Sequence, residues 1–204
     1  MIAIVDYGLG NIRAFANVYK RLDIPFSIAK NAETLNQASK IILPGVGAFD
    51  HAMEMLQQSG MRELLDEMVL QRTIPVLGIC VGMQMLAISS EEGRRPGLGW
   101  IDGVVKRFNP TGFAHKTILP HMGWNTVKPI RDNPILLNLN KESRFYFLHS
   151  YYMQCNNEEN SIAETEYGCQ FTCVVNSGSI YGIQCHPEKS HQNGIRLLKN
   201  FANL

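Results

Sequence analysis

The sequence predicts an α/β protein with a mostly parallel central sheet, helices on both faces, and additional short, partly antiparallel strands in its second half. Three observations carry this. Up to residue 80, short continuous apolar runs alternate with segments of helical period, the pattern left by strands that crossover helices bury on both faces. At residues 78–82 one such run passes through two glycines straight into a helical pattern. Beyond residue 100 the runs shorten and the long helical periods disappear until the end of the chain.

Ile2-Ala3-Ile4-Val5 is the first buried strand, closed by Asp6 to Asn11. The helix after it sets Ile12, Phe15, Ala16 and Tyr19 on one face and stops before Pro25. Gly8 and Gly10 lack the third glycine and the distant acidic residue of a dinucleotide fingerprint, so no cofactor is expected. Phe26 to Ala29 and Ile41 to Leu43 are further strands, the latter running into the loop Pro44-Gly45-Val46-Gly47. Two helical patterns follow, one with Phe49, Ala52, Met53 and Leu56 at core spacing, the other with Met61, Leu64, Leu65 and Met68. After the turn at 78–82 and its helix, residues 89–99 are polar and glycine-rich and are expected to form a surface loop. Short strands are expected at Gly103 to Phe108, Phe145 to Leu148, Phe171 to Val175 and Ile180 to Gln184, and a last helix joins Ile195, Leu198, Phe201 and Ala202 on one face.

With 204 residues, 45% of them hydrophobic, and no linker-like tract, one domain spanning 1–204 is expected. Nineteen basic and 18 acidic residues leave a net charge of +1. That balance supplies no field to draw nucleic acid or an anionic membrane, so neither is an expected partner. The start of the chain lacks a basic n-region, and no apolar stretch approaches the roughly 20 residues of a membrane span. Five cysteines at irregular spacing do not make a disulfide framework. The expected compartment is the cytoplasm.

The chemistry centres on Gly78-Ile79-Cys80-Val81-Gly82-Met83-Gln84. Glycines two residues either side of a nucleophile are the mark of a sharp strand-to-helix turn, here with sulfur in place of the usual serine oxygen. A thiol held there meets the positive end of the next helix, which favours thiolate; the plainer alternative is one more buried cysteine. A thiolate needs a base, and His186 stands where Pro187 stops a strand, with Glu188 two residues on to orient an imidazolium. Cys169, Cys173, Cys185 and His186 also raise the question of zinc. Strand residues four apart lie roughly 13 Å from each other, too far for bonds of about 2.3 Å to one metal, so no metal is expected.

These motifs resemble the triad of class I glutamine amidotransferases, a flavodoxin-like fold. More closely, Asp6 to Asn11, Pro44 to Phe49, Pro120 to Asn125, Phe147 to Tyr151 and His186 to Ser190 are similar to the family of glutaminase subunits of imidazole glycerol phosphate synthases. The resemblance implies that Cys80, His186 and Glu188 hydrolyse L-glutamine to glutamate and ammonia through a cysteinyl thioester. The N–H groups of Val81 and of the Val46–Gly47 segment would hold the oxyanion, while Gly45, Gln84, His149, Ser150 and Tyr151 would bind substrate. It also implies a heterodimer with a barrel-shaped synthase (cyclase) subunit, which receives the ammonia in histidine biosynthesis. Asn11, His121, Met122, Trp124, Asn125 and Lys189 would meet that partner, although a tryptophan such as Trp124 packs within its own chain at least as often. Two residues depart from the family pattern: Val81 replaces a leucine, and Cys185 takes an aromatic's place, setting a second oxidisable thiol beside His186. The same motifs serve glutaminases that feed sugar amidotransferases of surface-polysaccharide synthesis. A stand-alone cysteine hydrolase is the other alternative.

Overall fold

A computed structural model describes residues 1–110 and 118–204. Strands β1 (Ile2–Val5), β2 (Phe26–Ala29), β3 (Lys40–Gly45), β4 (Val76–Cys80) and β13 (Ile180–Ile183) lie parallel in the order β2-β1-β3-β4-β13. Every residue of β1, β4 and β13 is buried, which is why their sequences are unbroken apolar runs. The chain steps from β1 outward to β2, then back across β1 to β3. Right-handed crossovers therefore put α1 (Ile12–Arg21) on one face, with α2 (Ala32–Leu35) and α3 (Phe49–Gln58) on the other. The last helix, α6 (His191–Ala202), shares the α1 face: the Tyr19 hydroxyl donates to the Leu198 carbonyl at 3.4 Å. On the opposite face α3 packs against α5 (Val81–Met85).

The expected helix around Met61 to Met68 is α4 (Arg62–Asp66), continued by a π turn over Glu67–Gln71. That turn buries Met68 and Val69 side by side. Helix α2 has a single turn, fixed by the Asn31 side chain accepting from the Thr34 N–H at 2.9 Å.

The second half extends the sheet through β5 (Ser89–Ser90), β6 (Gly103–Arg107), β10 (Tyr151–Cys155), β11 (Ser161–Tyr167) and β12 (Cys169–Ser177), with β8 (Lys128–Pro129) beside β11. The pairs β12–β13, β10–β12, β10–β6 and β11–β12 are antiparallel. A separate antiparallel ribbon joins β7 (His121–Thr126) to β9 (Arg144–His149). Phe171, Cys173 and Val175 share a buried face of β12, with Cys169 half exposed at its start.

Two expectations need correcting. Pro44 and Gly45 belong to β3 rather than to a loop, pairing with Ile79 and Cys80. Residues 89–99 are not simply a surface loop, because Ser89–Ser90 pairs with β6 and the Gly97–Leu98 segment is buried against the backbone of Met85 to Ile88. The Leu98 N–H donates to the Met85 carbonyl at 2.7 Å, so the segment is pinned to the end of α5. Among the described residues no helix is long and apolar enough to cross a membrane.

Candidate active site

The carboxyl ends of β3, β4 and β13 reach one edge of the sheet, where parallel α/β folds collect their ligands. Cys80 is the last residue of β4, and its backbone takes φ 56° and ψ −113°, a conformation that L-residues adopt only under constraint. Three glycines supply the constraint. A Cβ on Gly82 would stand 2.0 Å from the Leu43 carbonyl oxygen, one on Gly78 2.6 Å from the Gly82 oxygen, and one on Gly45 2.4 Å from the Gly82 nitrogen. Bare backbones thus let α5 close onto β3 and β4. Gly45 does this packing job and does not line the pocket, contrary to the substrate-binding role expected of it. Helix α5 spans only Val81–Met85, so the dipole expected to activate the thiol is a short one.

His186 follows β13 after two more residues. Its N–H donates to the Tyr146 carbonyl at 2.8 Å, and the Ser190 hydroxyl donates to the His186 carbonyl at 2.6 Å. On one side of the ring Nδ1 meets Glu188 Oε1 at 3.0 Å, with side chains only 6% and 2% exposed; on the other the ring is hydrogen-bonded to Cys80. Burial alone would lower the imidazole pKa, but the bonds to Cys80 and Glu188 and their charges outweigh it and raise it to about 10. The arrangement is a histidine held as an imidazolium between the Cys80 sulfur and a buried carboxylate. Cys185, beside it, is completely buried among apolar groups. That burial, with the charges of Cys173 and Glu188 nearby, pushes its thiol well above the ordinary range, which disfavours the thiolate.

A pocket of about 200 Å³ opens over Cys80, a size for an amino acid rather than a large cofactor. Val46, Gly47, Val81, Gln84, His149, Ser150 and Tyr151 line it with His186, and Leu148, Glu92 and Lys189 also reach it. Gln84 is buried, and its amide nitrogen donates to the Tyr151 carbonyl and to Gln184 Oε1, both at 3.1 Å. Only its oxygen is left for a ligand. The Gln184 amide donates in turn to Cys80 Sγ at 3.9 Å. Glu92 Oε2 accepts the Phe49 N–H at 2.9 Å, which fixes the carboxylate at the pocket wall. Neither Gln184 nor Glu92 was assigned from sequence. The only available signal for Gln184 was a polar residue at the end of a buried strand. Among the described residues no group of three or more His, Cys, Asp or Glu is arranged to hold a metal ion.

Outside the pocket, Met122 is 64% and Trp124 40% exposed. Trp124 and Lys189 both meet the Tyr146 ring, at 6.2 Å between rings and 5.7 Å from Nζ. Trp124 and Met122, with Leu148 across from Met122, form an apolar rim, flanked by Lys189 and by Arg144, whose guanidinium donates to the Trp124 carbonyl at 3.3 Å. Asn11 is exposed at the start of α1, beyond the carboxyl end of β1. Two expected surface residues are not available there. His121 is only 2% exposed because odd positions of β7 turn inward, and the Asn125 amide is spent on His121 Nε2 and the Glu166 carbonyl.

A strained cysteine at a strand end, a histidine and a buried carboxylate thus stand together beside an amino-acid-sized pocket. The chain belongs to the class-I glutamine amidotransferase family, whose model matches residues 3–204. It is an enzyme of that family. Its relatives include the imidazole glycerol phosphate synthase subunit HisH of Bdellovibrio bacteriovorus and that of Leptospira interrogans, each 55% identical over the full length of both chains. The HisH 2 subunit of Pseudomonas aeruginosa is 46% identical, again over the full length of both. Among solved structures, a glutamine amidotransferase superposes with a TM-score of 0.75 at 18% identity, covering 100% of this chain and 99% of its own. A chain of PurLQS from Thermotoga maritima gives 0.74 at 17%, covering 99% and 97%. At those identities the structures speak to the fold alone.

Proposed function

We propose that this chain, acting as one unit over 1–204, hydrolyses glutamine and passes the ammonia to a synthase (cyclase) partner. That partner makes imidazole glycerol phosphate in histidine biosynthesis. The observation that carries the reading is Cys80 and His186 together in the pocket wall with Glu188 bonded behind His186, in a chain 55% identical to two imidazole glycerol phosphate synthase subunits.

With its proton resting on His186, the Cys80 sulfur attacks as thiolate the side-chain amide carbon of glutamine, and the carbonyl oxygen becomes an oxyanion. The Val81 N–H receives it, joined by an N–H from the Val46–Gly47 segment, where Gly47 has φ 85°. The His186 imidazolium gives its proton to the departing nitrogen as the C–N bond breaks, leaving a thioester and ammonia. Neutral imidazole then takes a proton from water, which attacks the thioester and releases glutamate. Glu188 stabilises each imidazolium form. At the other end of the substrate, Glu92 and the free oxygen of Gln84 accept from the α-ammonium group, supported by their place in the pocket wall. The partner docks as a heterodimer over Met122, Trp124, Leu148 and Lys189, with Asn11 at the margin, in the cytoplasm. Sealing this rim keeps ammonia from becoming ammonium in water.

The test is glutamine hydrolysis by the purified chain, then with the cyclase subunit, with and without that subunit's substrate. A peptide flip at Gly47 that misdirects one oxyanion donor costs roughly a hundred- to thousandfold in rate. The expected result is slow turnover alone and a gain of that order in the loaded complex. Full activity in the isolated chain would overturn the partner dependence, and stimulation only by a sugar amidotransferase would move the chain to that pathway.

A further inference from the structure

His121 and His149 are buried, and the reaction above moves no proton through either. Their hydrogen bonds are consistent with only one direction. His149 Nδ1 lies 2.8 Å from the Tyr151 carbonyl oxygen; that oxygen can only accept, so Nδ1 carries the hydrogen. In a neutral ring Nε2 is then an acceptor, and His121 Nδ1 stands 3.0 Å from it as the donor. This leaves His121 Nε2 to accept from the Asn125 amide nitrogen at 3.3 Å. The orientation of that amide is fixed independently, because its oxygen accepts the Thr126 N–H at 2.8 Å and its nitrogen donates to the Glu166 carbonyl at 2.8 Å. A proton added to His149 would set its Nε2–H against the His121 Nδ1–H across the 3.0 Å contact or, were His121 to change tautomer, set the His121 Nε2–H against the Asn125 amide N–H. Burial favours the neutral forms as well, lowering His121 to about 4 and His149 to about 3.

The chain of bonds ends at the Tyr151 carbonyl, which also takes the Gln84 amide at 3.1 Å. One carbonyl therefore receives two donors, and one of them belongs to a pocket-lining side chain. His121 is held flat between the Phe147 and Tyr167 rings, at 4.8 and 4.0 Å between centroids, so it cannot swing to another partner without breaking that stack.

We propose that His121 and His149 are positioning residues: a pair of neutral imidazoles, both in the Nδ1–H tautomer, that runs from Asn125 on β7 to the Tyr151 carbonyl and fixes the substrate-facing side of the pocket. The kinetic part rests on the glutaminase reading; the tautomers do not. In the full chain labelled with ¹⁵N-histidine, long-range ¹H–¹⁵N correlations near neutral pH are expected to show a protonated Nδ1 and a bare Nε2 for both residues. His121→Phe keeps the ring stack and removes both of its bonds. In the complete complex it should raise the glutamine KM roughly tenfold, the effect of one net hydrogen bond, with kcat much less changed. His121→Asn places an amide nitrogen where Nδ1 was and should recover most of the loss.

An Nε2–H tautomer at either residue, or a charged ring, overturns the proposal. So does an unchanged KM in a His121→Phe protein with a native melting profile. Should that variant not fold, His121→Asn and the tautomers of the unaltered chain decide the question. Absence of any glutamine turnover would overturn the glutaminase reading, while the tautomers would still decide the relay.

Discussion

Replacing Glu188 with glutamine keeps volume and a hydrogen-bond acceptor near His186 Nδ1 but removes the charge. The pair is nearly dry, at 3.0 Å with side chains 6% and 2% exposed. Removing one partner of such a pair costs about 3–5 kcal/mol, and the retained acceptor argues for the lower end, about 3 kcal/mol. That cost is one of folding stability; turnover should fall by up to about 10⁴-fold, the effect of turning a triad carboxylate into its amide. Glu188 does not line the pocket, so the glutamine KM should hardly move. Stability carries the same signature. His186 is raised to about 10 when folded and sits near 6.5 unfolded, so between those values the folded state holds the extra proton. The stability contribution is therefore complete below about pH 6.5 and is lost as pH rises through about 10. Urea unfolding of the wild type should weaken across that window, and Glu188→Gln should flatten the slope. A variant with the wild-type slope and kcat within threefold would refute the reasoning.

Gly45→Ala would set a methyl 2.4 Å from the Gly82 nitrogen; overpacking of this kind costs about 1–3 kcal/mol or more. Urea titration should show that loss together with lost activity, and native stability would contradict the packing role. Asp50 accepts the backbone N–H groups of Arg94 and Arg95 at 2.9–3.0 Å and so holds the segment that carries Glu92. Those bonds lower its carboxyl below the ordinary value. Its contribution is thus present above the unfolded pKa and is lost as pH falls through the folded one. Asp50→Asn should raise the glutamine KM several-fold at constant kcat, and a kcat effect alone would contradict this. A glutamine-like electrophile should label Cys80 and spare Cys155, which burial pushes up to about 11, and the fully buried Cys173 and Cys185. Labelling elsewhere with activity retained in Cys80→Ala would refute Cys80 as the nucleophile.

The parallel half of the fold was legible because strands such as β1 and β4 are covered on both faces and read as apolar runs. Strands β7 and β11 escaped notice: their exposed faces carry Met122, Trp124 and Glu166, and mixed alternation over six or seven residues resembles a loop. Helix α2 is one turn long and rests on its Asn31 cap. Cys80 and the His186–Glu188 pair could be picked out because each announces itself within a few residues, and the structure brings them together. Glu92 and Gln184 could not, since one acts through Phe49 and the other through Gln84, 43 and 100 positions away. His121 was misplaced because a motif gives residue types but not which of them a strand turns inward.

The backbone at Cys80 has an evolutionary consequence. A φ of 56° with ψ −113° suits glycine and costs other residues about 1–3 kcal/mol. Ordinarily alanine outranks glycine inside an element by about 0.5–1 kcal/mol; here the order should invert, with Cys80→Gly surviving more urea than Cys80→Ala. The sulfur thus occupies a place that stability alone would assign to glycine. In a lineage released from the need to split glutamine, this position would erode toward glycine, and the erosion would leave a sturdier, catalytically silent protein.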